Sequence, residues 1–140
     1  MSQLLRPELL AAIEFHDARV RHWRLEAGGR LTAELDVVWL YQNRPDDQLD
    51  VIQCRGLLLF TGITHLSMVG LFESSEVIMD ADFFDRQHVS LDPLRLYDGA
   101  LTDVTFSFDF FNAFCVQGSA ARIELLSVVA IRVESVVKNE

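Results

Sequence analysis

With 140 residues, half of them hydrophobic, the chain suits one domain with a substantial core and is too apolar for disorder. Its 21 acidic and 12 basic residues give a net charge of −9. That balance argues against a general nucleic-acid or anionic-membrane binder, which needs a basic face, and would attract a basic partner. Ten Phe and two Trp, with many Val and Leu, favour strands over helices.

In chain order, Leu4 to Phe15 reads as a short helix. Pro7 suits a first turn, and Leu9, Leu10 and Ile13 recur at helical spacing. The same N-terminus lacks the basic start and apolar run of a secretory signal, so the expected compartment is the cytoplasm. "FHDARVRHWRLEAGGRLTAELDVVWLY", Phe15 to Tyr41, alternates as a hairpin. A two-residue Gly28-Gly29 loop would put the apolar residues of its strands on opposite faces. A three-residue Ala27-Gly28-Gly29 loop sets Glu26 against Arg30, Leu25 against Leu31, Trp23 against Ala33 and Arg21 against Leu35, with Gly29 free to turn left-handed.

Pro45-Asp46-Asp47 punctuates a charged loop. The longest apolar run, Gly56 to Phe72, is near the ~17-residue lower limit of a membrane span. His65, three Gly and several hydroxyls make it better as one strand bent at Gly56 and Gly62, or two strands turning at Thr61-Gly62; the bent strand is preferred. A short strand follows around Glu76 to Asp80, then an irregular stretch containing Pro93 and Asp98-Gly99. The last third reads as a long hairpin turning at Gly118-Ser119, which pairs Val104 with Val133, Phe106 with Ile131 and Phe108 with Val129. Its second face, with Phe111, Cys115, Leu126, Val128 and Ala130, is too apolar for open solvent and predicts a cover: the helix, a second sheet or another chain.

Candidate chemistry is sparse. Cys54 and Cys115 form no Cys-x-x-Cys or Cys/His cluster and read as buried thiols; no metal or cofactor is expected. His16 and Asp17 suit acid–base work, but neighbours in an extended strand point apart, so cooperation needs a turn. The bland reading has Asp17 bonding local backbone amides. His22, His65 and His88 are scattered without metal-ligand spacing; with His22 and His65 the His16-Asp17 pair makes a candidate small-ligand or enzyme site on the concave sheet face. Asp80 and Asp82, two apart in a strand, would share a face, and with Asp85 they form the best acidic cluster. With Phe83 and Phe84, and with Asp46 and Asp47 of the loop, they suggest aromatics rimmed by carboxylates, an anchor for a basic partner. No nucleophile, phosphate-loop or dinucleotide motif occurs, and no catalytic residue is assigned.

At Phe15-His16-Asp17, the opening of "FHDARVRHWRLEAGGRLTAELDV", the sequence resembles small bacterial β-rich families of unknown function whose first hairpin strand starts with a His-Asp pair. Some of these accompany polymorphic toxin systems and look like immunity proteins. The resemblance implies a binding protein and carries over no catalytic residue. The expected architecture is thus a mainly β fold, or β-dominated α+β. A curved antiparallel sheet of hairpins forms a partial barrel or sandwich with one short N-terminal helix. The leading function is a non-enzymatic inhibitor or immunity protein engaging a basic partner such as a toxin. The alternatives are the ligand site above and a homo-oligomeric subunit, such as a homodimer, paired through the apolar face of the last hairpin.

Overall fold

The computed structural model describes residues 3–4, 13–43, 46–71, 76–91 and 101–137. Strand alternation dominates them: β1 (Gln3–Leu4), β2 (Ile13–Glu26), β3 (Arg30–Asn43), β4 (Gln48–Val69), β5 (Glu76–Phe84), β6 (Leu101–Phe110) and β7 (Cys115–Val137). All pairings are antiparallel, in the order β1-β7-β4-β3-β2-β5-β6, and β6 returns to β7. Six strands therefore close a barrel, and β1 lies on the edge of β7 beyond the end of β6. The described residues contain no helix. The helix expected over Leu4 to Phe15 is corrected at both ends: Leu4 pairs with Val129, and Ile13 already pairs with Leu40. Residues 5–12 lie outside the described residues, as do Pro45, Pro93 and Asp98-Gly99. No helix of the described residues is long and apolar enough to cross a membrane.

The first hairpin has the expected three-residue loop, with Glu26 against Arg30, Leu25 against Leu31 and Trp23 against Ala33. Gly28 and Gly29 both take positive φ (87° and 73°). Deeper in, Leu35 faces Val20 in place of Arg21, because a bulge adds a residue to β2. The apolar run after Gly56 belongs to one bent 22-residue strand, β4, with register shifts at Arg55/Leu57 and Ile63/His65. Bends at these points let a long strand follow a closed wall.

The last hairpin exists, but its turn is elsewhere. Phe111 to Ala113 make the reversal, closed by the Phe110 amide on the Phe114 carbonyl at 2.9 Å. Val104 therefore faces Ala120, Phe106 faces Gly118 and Phe108 faces Val116. Gly118-Ser119 lies within β7, and residues 121–133 pair chiefly with β4. The apolar second face is corrected with it. Inward residues of β7 change parity, from Val116 and Ala120, through Ile123 and Leu125, to Val128. Ser127 (φ 55°) makes the second switch, so Val128 turns into the core and needs no other cover.

The barrel interior is filled by side chains. Phe60, Phe83, Phe106 and Phe108 are fully buried with Leu31, Leu35, Leu58, Ile78 and Ile123. Phe108 touches five aromatic rings: Phe15, Trp23, Phe60, Phe83 and Phe106, with centroids 5.7–6.5 Å away. These separations suit edge-to-face packing.

Both cysteines are free thiols. Cys54 is buried, and burial pushes its pKa from 9.0 up to about 12. The fold thus holds the proton more tightly than the unfolded chain does. The resulting stability is complete below pH ~9 and is lost as pH rises from there toward about 12. Two results are expected. Cys115, half-buried, reacts with a thiol reagent before Cys54 does. A Tm-versus-pH curve of Cys54→Ala falls less steeply above pH ~9 than that of the parent.

Candidate functional site

The site residues expected from sequence separate into inner and outer sets. Phe83 is corrected: it points into the barrel, 1% exposed, with its ring 5.9 Å from Phe15 and 5.7 Å from Phe108. Asp80 and Asp82 do share the outer face of β5. Phe84 is half-buried, with its ring 6.5 Å from that of His88. Asp85 organises the following loop by accepting the amides of Gln87 and Val89, both at 2.9 Å. Asp46 and Asp47 are exposed on the β3–β4 connection, which no strand pairing joins to β5 or β6.

The histidines do not converge. His16 is on β2 beside β5. His22 faces Glu34 at 3.2 Å on the outside of the first hairpin. His65 is exposed on β4 opposite Ser119, and His88 follows β5. Among the described residues no group of three or more His, Cys, Asp or Glu could hold a metal ion. The concave sheet face assigned to His16, Asp17 and His22 is the barrel interior, packed with Phe; these three side chains are exposed outside.

The His16-Asp17 pair does meet, through a turn of the kind it needs. Between Glu14↔Trp39 and Arg19↔Val37, β2 spends five residues where β3 spends two. Asp17 absorbs this excess at φ 68°, and the Trp39 indole N–H supports it by donating to the Asp17 carbonyl at 3.3 Å. His16 Nε2 then lies 3.7 Å from Asp17 Oδ1, while Nδ1 is 2.6 Å from the Met79 carbonyl. A carbonyl only accepts, so Nδ1 carries the proton.

A contiguous outer patch surrounds this pair. Met79 is an extra residue of β5 and is 39% exposed. Phe111, 55% exposed on the β6–β7 turn, donates its amide to Val77 at 3.1 Å, and its ring is 6.1 Å from His16. Two residues before it, Asp109 faces Asp80 across β5–β6, and Asp82 follows opposite Ser107. Asp80, Asp82 and Asp109 have no cationic side chain within 4.0 Å among the described residues. Beneath the turn, Glu76 is 2% exposed and accepts Asn112 Nδ2 at 2.7 Å, which holds the reversal carrying Phe111 against β5. Phe111 and Asp109 escaped assignment from sequence because the turn was placed at Gly118. The signal lay around Phe110-Phe111-Asn112, where a turn at Gly118-Ser119 sets Phe110 against Ser127 and Asn112 against Leu125, apolar against polar. Elsewhere on the outside, a groove of ≈ 390 Å³ crosses Gly62, Thr64, Ser119 and Ala121 and ends at the Arg86–Asp103 ion pair. In comparisons with known proteins, no family model, curated protein or solved structure matches this chain.

Proposed function

We propose that the chain is a non-enzymatic binding protein of the inhibitor or immunity type. It covers a basic site on a partner protein with the patch centred on Phe111 and Met79 and ringed by Asp17, Asp80, Asp82 and Asp109. The observation that carries this reading is the placement of an exposed aromatic beside Asp80, Asp82 and Asp109, which have no cationic side chain within 4.0 Å among the described residues. An aromatic anchor supplies desolvated contact area. A single-sign rim speeds encounter with an oppositely charged site. A net charge of −9 adds long-range attraction, and the filled barrel interior directs recognition to the outside. The resemblance at Phe15-His16-Asp17 points the same way, toward a toxin as the basic partner, and two free thiols fit the cytoplasm.

Self-pairing through the apolar end of β7 is less favourable. Ile131, Val133, Val136 and Val137 are exposed there, beyond the last pairing with β1 at Ala130. A two-fold ladder centred on Glu134 sets that carboxylate against its own copy. One centred on Val133 matches Arg132 to Glu134, but drives Val136 and Val137 of the copy into the place of β1.

The test is binding of the purified chain to the toxin-like product encoded beside its own gene, at low and high salt, together with growth protection on co-expression. Tight binding that slows in salt is expected. Phe111→Ala should weaken it about tenfold or more, and Asp80→Lys/Asp82→Lys should remove the salt dependence, with both variants keeping the parent's Tm. Protection unaltered by all three substitutions would refute the patch.

A further inference from the structure

The strands of the barrel are joined unequally. Among the described residues, adjacent β4 and β7 share nineteen register pairs and β2 and β3 share nine, whereas β2 and β5 share two, Arg19↔Val77 and Val20↔Glu76. A barrel is stable because closure removes its edges, so its thinnest seam is where it opens first. Past Arg19 the two strands stop pairing because both bulge: β2 at Asp17, and β5 at Met79. Among the described residues a side chain spans the gap: His16 Nδ1–H donates to the Met79 carbonyl at 2.6 Å.

We propose that the His16-Asp17 pair is the latch of this seam. The bulge at Asp17 displaces His16 from the strand path, so that its ring reaches across and replaces a missing backbone bond. The Trp39 N–H on the Asp17 carbonyl holds the bulge from the β3 side. Because the ring is anchored at Met79, the latch also fixes the extra residue of β5, and so the placement of the neighbouring Asp80. When the latch is released, β5 separates from β2 and stays attached to β6, with which it keeps six register pairs. The chemistry-like pair is thus a positioning device. It acts whether or not the patch binds a partner.

Native-state hydrogen exchange on the free, full chain tests this. His16→Phe keeps a ring beside Phe111 and deletes the donor. Losing one such bond should speed exchange at residues 17–20 and 77–81 about fivefold and leave β4 and β7 unchanged. Trp39→Phe, which leaves His16 intact, should speed the same segments. His16→Asn, whose amide N–H can stand where Nδ1–H stood, should restore most of the protection. Parent-like exchange at 17–20 and 77–81 in His16→Phe would overturn the latch, as would an equal acceleration throughout the barrel or a failure of His16→Asn to rescue.

Discussion

Gly118→Ala is expected to destabilise the protein by about 1–3 kcal/mol, although it adds one methyl group to a strand. A Cβ at this position would lie 2.8 Å from Phe106 Cζ and would overlap the backbone carbonyl of His65. Neither neighbour has room to yield. Phe106 is fully buried against Phe60, with centroids 4.7 Å apart, and His65 belongs to β4 where it pairs with Ser119. Gly118 pairs with Leu66 on one side and with Phe106 on the other, so the strain falls on the junction of three strands. Replacement of the adjacent, half-buried Ser119 by Ala serves as the control and should change stability by less than about 0.5 kcal/mol. Chemical denaturation of the two variants distinguishes the roles: if Gly118 were a turn residue in an open loop, its alanine variant would behave like that of Ser119.

Phe108→Ala should have the largest effect, about 3–5 kcal/mol, which lowers Tm by on the order of 10–20 °C in a chain of this size. The ring is fully buried at the meeting point of β2, β4, β5 and β6, and touches Phe15, Trp23, Phe60, Phe83 and Phe106. Those neighbours are held by separate strands and cannot all move inward, so a cavity remains. Phe111→Ala, three residues later, is the informative contrast. That ring is 55% exposed, and its loss should hardly move Tm while weakening partner binding. Thermal melts and binding measured on the same two proteins therefore separate a phenylalanine that holds the barrel from one that serves its surface. A Phe111→Ala variant as unstable as Phe108→Ala would show that the turn is part of the core.

Of the candidate site, sequence reading captured the shared outer face of Asp80 and Asp82 and the condition under which His16 could meet Asp17. It placed Phe83 outside because a Phe-Phe pair beside aspartates looks the same whichever ring faces in. The extra residue at Met79 belongs to the register with β6, and with Ala81 and Phe83 then inward, Asp80 and Asp82 fall outward. Asp109 and Phe111 became legible only when the turn was known, since their partners lie on β5, about thirty residues earlier in the chain.

Alternation of side chains, the acidic balance, the Ala27-Gly28-Gly29 loop and the single bent strand after Gly56 were all determined by the sequence itself. Each depends on neighbours within a few residues, where strand periodicity and glycine's backbone freedom act locally. Barrel closure, the turn at Phe111 to Ala113, and the switches of face at Asp17, Asp103 and Ser127 were decided by tertiary structure. Those three residues take positive φ without being glycine, so they give no strong local signal, and their cost is offset only by the contacts of a closed wall. Gly118 belongs with them: a glycine reads as a turn until a ring from another strand is known to press against it.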